Sequence, residues 1–267
     1  MSLQEFQRLL AQKGEELYRD MPWREDTRPY YVLVSELMLQ QTQVSRVIPK
    51  FEAFISAFPD ESTLAGASLA DVMIMWQGLG YNRRAKFLHE AAKYVMSEFG
   101  GIFPEDEANI MKLPGVGKNT AGAIMAYAFN TPVIFVETNI RTVYIHHFFD
   151  DRFDVDDKEI IAVMHSTLDR ENPRRFYQSL MDYGSWLKAN GVRNISASKH
   201  YKKQAPLRGS IREVRGQIVR ELAGGSLGEQ ALRQKLNADE RFTRALDSLI
   251  QEKLIVRDAD GSLSLAR

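Results

Sequence analysis

The sequence predicts an all-α fold with a small α/β appendage at its C-terminal end. Three observations carry this expectation. Apolar residues recur at helical spacing along almost the whole chain, Gly and Pro clusters interrupt that spacing, and only the segment after about residue 206 adds an alternating, strand-like pattern. Leu3, Phe6, Leu9, Leu10 and Leu17 mark a first amphipathic helix that ends near Met21-Pro22. Residues 31–47 read as one mostly buried helix, and further helical patterns cover 49–58, 68–76 and 83–99. Phe58-Pro59-Asp60, Gly78-Leu79-Gly80, Gly100-Gly101 and Leu113-Pro114-Gly115 are the turns between them. Residues 120–129, 138–149, 157–169 and 176–188 predict four more helices, with Val133-Ile134-Phe135-Val136 as a buried connection. Helices are then expected over 210–222 and 239–253, with another opened by a capping box at Ser226-Leu227-Gly228-Glu229. Leu254-Ile255-Val256-Arg257, an Asp260-Gly261 turn and Ser262-Leu263-Ser264-Leu265 predict a β-hairpin. Three helices and a hairpin spell a winged helix.

Composition narrows the chemistry. The 267 residues hold 44% hydrophobic and 26% charged side chains, ordinary for a soluble globular protein. No apolar run is long enough to span a bilayer and the first residues lack a signal-peptide layout, so a cytoplasmic protein without membrane contact is expected. Cysteine is absent, which excludes disulfides, thiolate nucleophiles, cysteine zinc sites and iron–sulfur clusters. The five histidines include no pair spaced for a helical metal site, so no metal is expected. Net charge is zero, but between Tyr183 and Arg220 nine basic residues face a single acid, Glu213. That excess suits a phosphate-facing surface, or else a solvated basic face.

The sharpest local signal is Leu113-Pro114-Gly115-Val116-Gly117-Lys118 between two helices. Alternate glycines let the backbone approach a ligand closely and leave N–H groups free at the next helix start, where the dipole favours a phosphate. A Walker loop would need Gly at Lys112 and Ser or Thr at Asn119, and a dinucleotide fingerprint would need Gly at Thr120. A hairpin gripping a DNA backbone without reading sequence fits, as does a plain helical corner.

With Pro22-Trp23-Arg24, the run Ser35-Glu36-Leu37-Met38-Leu39-Gln40-Gln41-Thr42-Gln43-Val44, Trp76-Gln77-Gly78-Leu79-Gly80-Tyr81 and Met181-Asp182-Tyr183-Gly184, the chain resembles the helix-hairpin-helix (HhH-GPD) DNA glycosylases, and among them the A/G-specific adenine DNA glycosylases of the MutY type. The resemblance implies the two-lobed glycosylase fold. Residues 22–132 would form a six-helix lobe with the hairpin, 1–21 and 133–205 a second helical lobe, and 206–267 the winged-helix-like domain. The active site would lie in the cleft, with Glu36 and Glu137 facing each other.

Cutting a nucleoside bond needs an acid for the leaving base and a carboxylate for the oxocarbenium-like sugar. Glu36 sits in an apolar helical stretch, where burial raises a carboxyl pKa; by resemblance it protonates the adenine ring and then activates water. The alternative is a buried structural Glu. Glu137 occupies the place where the family has Asp, with Thr138 where these glycosylases usually have Gly, so the charge is kept on a longer arm. It reads as the electrostatic stabiliser and as an N-cap, roles that can coexist. Asn119 stands where strand-cleaving relatives carry a Schiff-base Lys, and Lys118 is rotated away around the helix, so a monofunctional enzyme is expected.

The resemblance sends Gln40, Gln41 and Tyr81 into the duplex, and Leu113, Gly115, Gly117, Lys118, Lys199 and Lys202 to the DNA backbone. It also allows a monovalent cation at the hairpin carbonyls. The loop over 188–204 has no cluster ligand, and the winged helix stands where the family has its reader of oxidised guanine. The expected function is excision of adenine mispaired with 8-oxoguanine or guanine, by a monomer acting on double-stranded DNA. The alternatives are a glycosylase for thymine or uracil opposite guanine and a DNA lesion-binding protein without catalysis.

Overall fold

In the computed structural model, which describes Met1–Arg267, the helices in chain order are α1 (Leu3–Glu16), α2 (Pro22–Glu25), α3 (Pro29–Leu39), α4 (Val44–Ala57), α5 (Glu61–Gly66), α6 (Leu69–Met75), α7 (Arg83–Glu98), α8 (Glu107–Ile110), α9 (Lys118–Tyr127), α10 (Thr138–Phe148), α11 (Asp157–Thr167), α12 (Pro173–Ala189), α13 (Ile211–Leu222), α14 (Glu229–Lys235) and α15 (Arg241–Gln251). Strands β1 (Leu227–Gly228), β2 (Ile255–Arg257) and β3 (Ser262–Leu265) lie among the last of them. Local chemistry sets many of the starts. Capping boxes Ser2/Glu5 and Asp156/Glu159 open α1 and α11, while Asp60, Ser68 and Ser210 cap α5, α6 and α13.

The chain divides into two compact units. One comprises Met1–Val32, Glu105–Lys112 and Val116–Lys203; the other comprises Leu33–Pro104, Leu113–Gly115 and Gln204–Arg267. The first unit buries Phe6 and Leu10 of α1, Ile140, Val143 and Tyr144 of α10, and Phe176, Tyr177 and Leu180 of α12 in one apolar cluster. Phe135, in the irregular 133–136 connection, stacks on Tyr177 with ring centres 4.2 Å apart. Small residues let the helices close up: a Cβ at Gly14 would strike the Ser179 side chain, and one at Gly184 would lie 2.5 Å from the Asn139 carbonyl oxygen.

The second unit packs α4 to α7 around Val47, Phe51, Phe54, Leu64, Val72, Trp76, Leu88 and Val95, all buried. It also contains the winged-helix-like segment, whose core is Val214, Ile218, Phe242, Leu246, Leu249, Leu254 and Leu263. The three-stranded sheet has the order β1-β3-β2, with Leu227 opposite Leu263 and Ile255 opposite Leu265. Lys86 of α7 donates to the Glu252 carbonyl at 2.8 Å, which fastens this segment to the rest of its unit.

Two expectations change. The helix expected over 31–47 is broken: α3 ends at Leu39 and α4 starts at Val44, with Gln41 between them at φ 58°. The apolar period continues across the gap, but the backbone turns through the left-handed region. The capping box at Ser226 does not form. Gly228 is the N-cap of α14, and Leu227–Gly228 is instead recruited as an edge strand by β3.

Candidate active site

In the second unit, α3 runs from Leu33 to Leu39 as an almost wholly buried helix: Leu33, Val34, Leu37 and Met38 are 0% exposed and Ser35 is 1% exposed. Glu36 is the one charged residue in that stretch and is half-buried. One turn later the chain leaves the helix into the Gln40-Gln41-Thr42 loop, where Gln40 and Gln41 are exposed. A second loop, Gly78-Leu79-Gly80-Tyr81, lies beside it. Tyr81 takes φ 50°, a conformation that an aromatic residue adopts only where its surroundings enforce it.

The enforcing residue is Arg84, at the start of α7. Arg84 is 6% exposed, and its guanidinium donates to the carbonyls of Leu37 (2.6 Å), Met38 (2.8 Å) and Gln40 (2.7 Å) on one side. On the other side it reaches the carbonyls of Leu79 and Gly80, both at 3.0 Å, and the Thr42 hydroxyl at 3.1 Å. These carbonyls lie at a helix C-terminus and in two tight turns, where backbone acceptors are left over and a cation satisfies them. Only Nε is buried without an acceptor, and the guanidinium lies 5.5 Å from the Trp76 ring and 5.4 Å from that of Tyr81. Burial pushes the Arg84 pKa down to about 10, so the group stays cationic at neutral pH. The helix of Glu36 and both exposed loops are thereby held as one piece. Arg84 was missed in the sequence because Arg83-Arg84 at the head of an amphipathic helix reads as surface charge.

The Leu113–Lys118 turn is built as its glycines suggest. Leu113 is buried, Gly115 takes φ 80°, and a Cβ there would sit 2.7 Å from Cβ of Phe87. Gly117 is exposed, a Cβ on it would meet nothing within 4 Å, and it is the N-cap of α9. No side chain therefore covers the first amides of that helix, and Lys118 is exposed beside them. Gly115 is needed for conformation and packing, whereas Gly117 keeps open the approach to the helix start.

In the first unit, Glu137 is the N-cap residue of α10, but its side chain makes no capping hydrogen bond. The carboxylate is not consumed by the helix, so the N-cap role expected of its side chain is not formed. Burial pushes the Glu137 carboxyl above its ordinary value, and Arg141, one turn along, pulls it partly back. Arg141 is in turn fixed by Asp157 through two 2.7 Å bonds. Asn119 donates from Nδ2 to the Val136 carbonyl at 2.9 Å, so it tethers the residue just before Glu137 to α9. On the other side of the same segment, Gly184 gives α12 its close approach to Asn139.

Asp182, 2% exposed, explains two further motifs. It accepts from Arg24 at 2.7 and 3.0 Å and from Nε of Arg19 at 2.6 Å. The Pro22-Trp23-Arg24 and Met181-Asp182-Tyr183-Gly184 motifs are thus two halves of one buried ion cluster that holds α2 against α12.

The loop after α12 has no cysteine, so a cluster held by four thiolates does not fit it. Hydrogen bonds hold it instead: Val155 N–H donates to the Ala197 carbonyl at 2.7 Å, Lys199 N–H to that of Val155 at 3.0 Å, and Asn194 to that of Thr142 at 3.0 Å. Lys199 is exposed but faces Asp154 and Asp156 at 3.5 and 3.9 Å; Lys202 is exposed. No helix of the chain is long and apolar enough to cross a membrane.

Of the residues singled out in the sequence, Gln40, Gln41, Tyr81 and Gly115 line one cavity of the second unit, and Glu36 sits on the helix leading into it. In the first unit Asn119 bonds the carbonyl of Val136, the residue before Glu137. In the cavity wall, sequence reasoning missed Arg84, and it read Arg212 and Arg215 only as members of the basic run between Tyr183 and Arg220.

A family model described as "HhH-GPD superfamily base excision DNA repair protein" matches residues 34–165. The adenine DNA glycosylase of Buchnera aphidicola subsp. Baizongia pistaciae is 38% identical over 187 residues, covering 68% of this chain, which spans about half (52%) of that relative's length. The adenine DNA glycosylase of Mycolicibacterium smegmatis is 33% identical over 274 residues, covering 93% of this chain and 92% of that one. Among solved structures, a thermostable thymine-DNA glycosylase superposes with a TM-score of 0.61 at 24% identity, covering 68% of this chain and 86% of its own.

Proposed function

The chain belongs to the HhH-GPD superfamily of base excision DNA repair proteins, and from that premise we propose that it is a monofunctional adenine DNA glycosylase acting, as a monomer, on adenine mispaired with 8-oxoguanine or guanine in double-stranded DNA. The observation that carries the proposal is that Arg84 joins the Glu36 helix to the Gln40-Gln41 and Gly80-Tyr81 loops. Base-flipping chemistry needs the acid and the groups that fill the vacated stack held in fixed relation, and a site supported in this way meets that need. The names of the Buchnera and Mycolicibacterium relatives support adenine as the base.

In this reading Glu36 donates a proton to a ring nitrogen of the flipped adenine as the C1′–N9 bond breaks. The leaving base departs neutral, and the sugar becomes oxocarbenium-like. Glu36, now ionised, accepts a proton from the water that adds to C1′, leaving free adenine and an abasic site. Glu137 supplies a negative charge to the developing sugar cation. A carboxylate that burial has stripped of water interacts more strongly with a positive sugar than a solvated one does, so its ground-state cost is recovered in the transition state. Arg141 limits that cost by favouring the ionised form. Asn119 positions the Glu137 segment, and its amide cannot form the Schiff base of a strand-cleaving mechanism.

The test is single-turnover excision from duplexes presenting adenine, thymine, uracil or 8-oxoguanine as the target base, with borohydride added in parallel. Adenine release opposite 8-oxoguanine without a borohydride-trapped adduct is the expected result. Release of thymine or uracil alone would overturn the substrate, a trapped adduct would overturn the monofunctional mechanism, and tight binding without release would favour a non-catalytic lesion binder.

A further inference from the structure

The start of α11 carries three acids, Asp156, Asp157 and Glu159, and the helix uses only two of them. Asp156 and Glu159 close the capping box, and Glu159 also accepts from Arg152. The carboxylate of Asp157 turns instead to α10, where it accepts from Nε and one terminal nitrogen of Arg141, both at 2.7 Å. Both side chains are largely buried. A fork-to-fork pair of this kind fixes the plane and the position of the guanidinium, and not its charge alone.

What Arg141 would do without Asp157 follows from its place in the helix. Glu137 is the N-cap of α10, and the N–H of Arg141, one turn along, donates to the Glu137 carbonyl at 2.8 Å. An acid followed by a base at this spacing closes into an ion pair on the helix surface. Here Asp157 takes the fork, so Arg141 attracts the Glu137 carboxylate from a distance without bonding to it. One segment steadies both partners. Asn194 donates to the carbonyl of Thr142, next to Arg141, while Val155, just ahead of the cap of α11, bonds through its backbone to Ala197 and Lys199.

We propose that Asp157 is a positioning residue for excision: by holding the Arg141 fork it keeps that cation near the Glu137 carboxylate but off it, so that the negative charge stays available to the sugar. The proposal rests on the glycosylase reading above, in which Glu137 supplies charge to the developing sugar cation. A carboxylate closed onto a guanidinium is neutralised within the pair and attracts a positive sugar far less. Asp157 touches neither base nor sugar in this account and acts only through Arg141.

The experiment reads the charge of the site by binding, with excision followed in parallel. Duplexes carrying at the target position either a cationic pyrrolidine abasic analogue or its neutral tetrahydrofuran counterpart are titrated by fluorescence anisotropy. The proteins are wild type, D157N, D157E, R141M and the D157N/R141M double variant. Wild type should prefer the cation, which resembles the oxocarbenium-like sugar. D157N should lower that preference, and the rate of single-turnover adenine release, by about tenfold or more. Its affinity for the neutral duplex should stay within about threefold, since phosphate contacts are untouched. D157E keeps two charged oxygens for the fork and should stay within about threefold of wild type in preference and rate. A packing role predicts the opposite order, because Asn is the closer match in shape. In the R141M background D157N should change the preference by less than about twofold, since no cation remains to close on Glu137. Tolerance of D157N, loss of preference in D157E, equal D157N losses with and without Arg141, or no preference in wild type would each overturn the proposal. If wild type prefers the cation but releases no adenine, the glycosylase reading falls and the hold of Asp157 on the site's charge stands. If adenine is released and D157N keeps the preference, the reverse holds.

Discussion

Glu36→Gln is expected to lower single-turnover adenine release by about 10³-fold while changing duplex affinity less than about threefold. The amide keeps the shape of the carboxyl at its place between buried Ser35 and Leu37 on α3. What it loses is the proton. A neutral amide neither donates to the departing base nor accepts from water, so both halves of the proposed reaction stop at one residue. A structural Glu would behave differently: its replacement would shift the thermal midpoint and leave the rate of the folded fraction unchanged. Parallel excision and melting measurements separate the two, and a Glu36→Gln enzyme that retains wild-type rate would remove Glu36 from the chemistry.

Arg84→Met should destabilise the fold by about 3–5 kcal/mol, a drop in Tm of roughly 10 °C for a chain of this size. Met fills similar space, but it leaves the carbonyls of Leu37, Met38, Gln40, Leu79 and Gly80 without the donors that Arg84 supplies. Buried acceptors stripped of a charged donor lose more than the net worth of the bonds, because no water replaces the guanidinium. The effect should extend to function. With the Arg84 tie gone, Gln41 and Tyr81 have less reason to hold their left-handed conformations, and excision measured at a temperature where the variant is still folded should fall by more than tenfold. Arg84→Lys should rescue little, since a single ammonium cannot span the two loops. A variant that melts with wild type would show that the loops are held by something else.

How legible these features were depends on the range of the interaction behind them. The Leu113–Lys118 turn announced itself because its requirements are local: a positive φ at Gly115 and an uncovered helix start at Gly117 are written in the residues themselves. The Asp260-Gly261 turn between β2 and β3 was visible for the same reason, with Gly261 at φ 82°. The ends of α10, α11 and α13 fell within a few residues of their apolar periods and caps. The break at Gln41 was hidden because apolar residues on both sides keep helical spacing, while the cause of the break is Arg84, more than forty positions away in the chain. Ser226-Leu227-Gly228-Glu229 satisfied a local rule that a distant partner overrode, since pairing with Leu263 draws Leu227 into a strand. Asp182 and Arg24 were recognisable as motif members, but the reason for their presence is a contact between α2 and α12 that no window of sequence contains. Arg212 falls in the same class: in the sequence it belongs to a basic run, and only the fold sets it on Tyr81.

The central claim is that this chain removes adenine by hydrolysis. Its most direct test is one single-turnover reaction of wild-type protein with a duplex bearing adenine opposite 8-oxoguanine, with free base and strand integrity followed together. The account predicts adenine in solution and a strand that stays intact until alkali breaks it at the abasic site. An intact glycosidic bond after complete binding, or a strand cut before alkali is added, would contradict it.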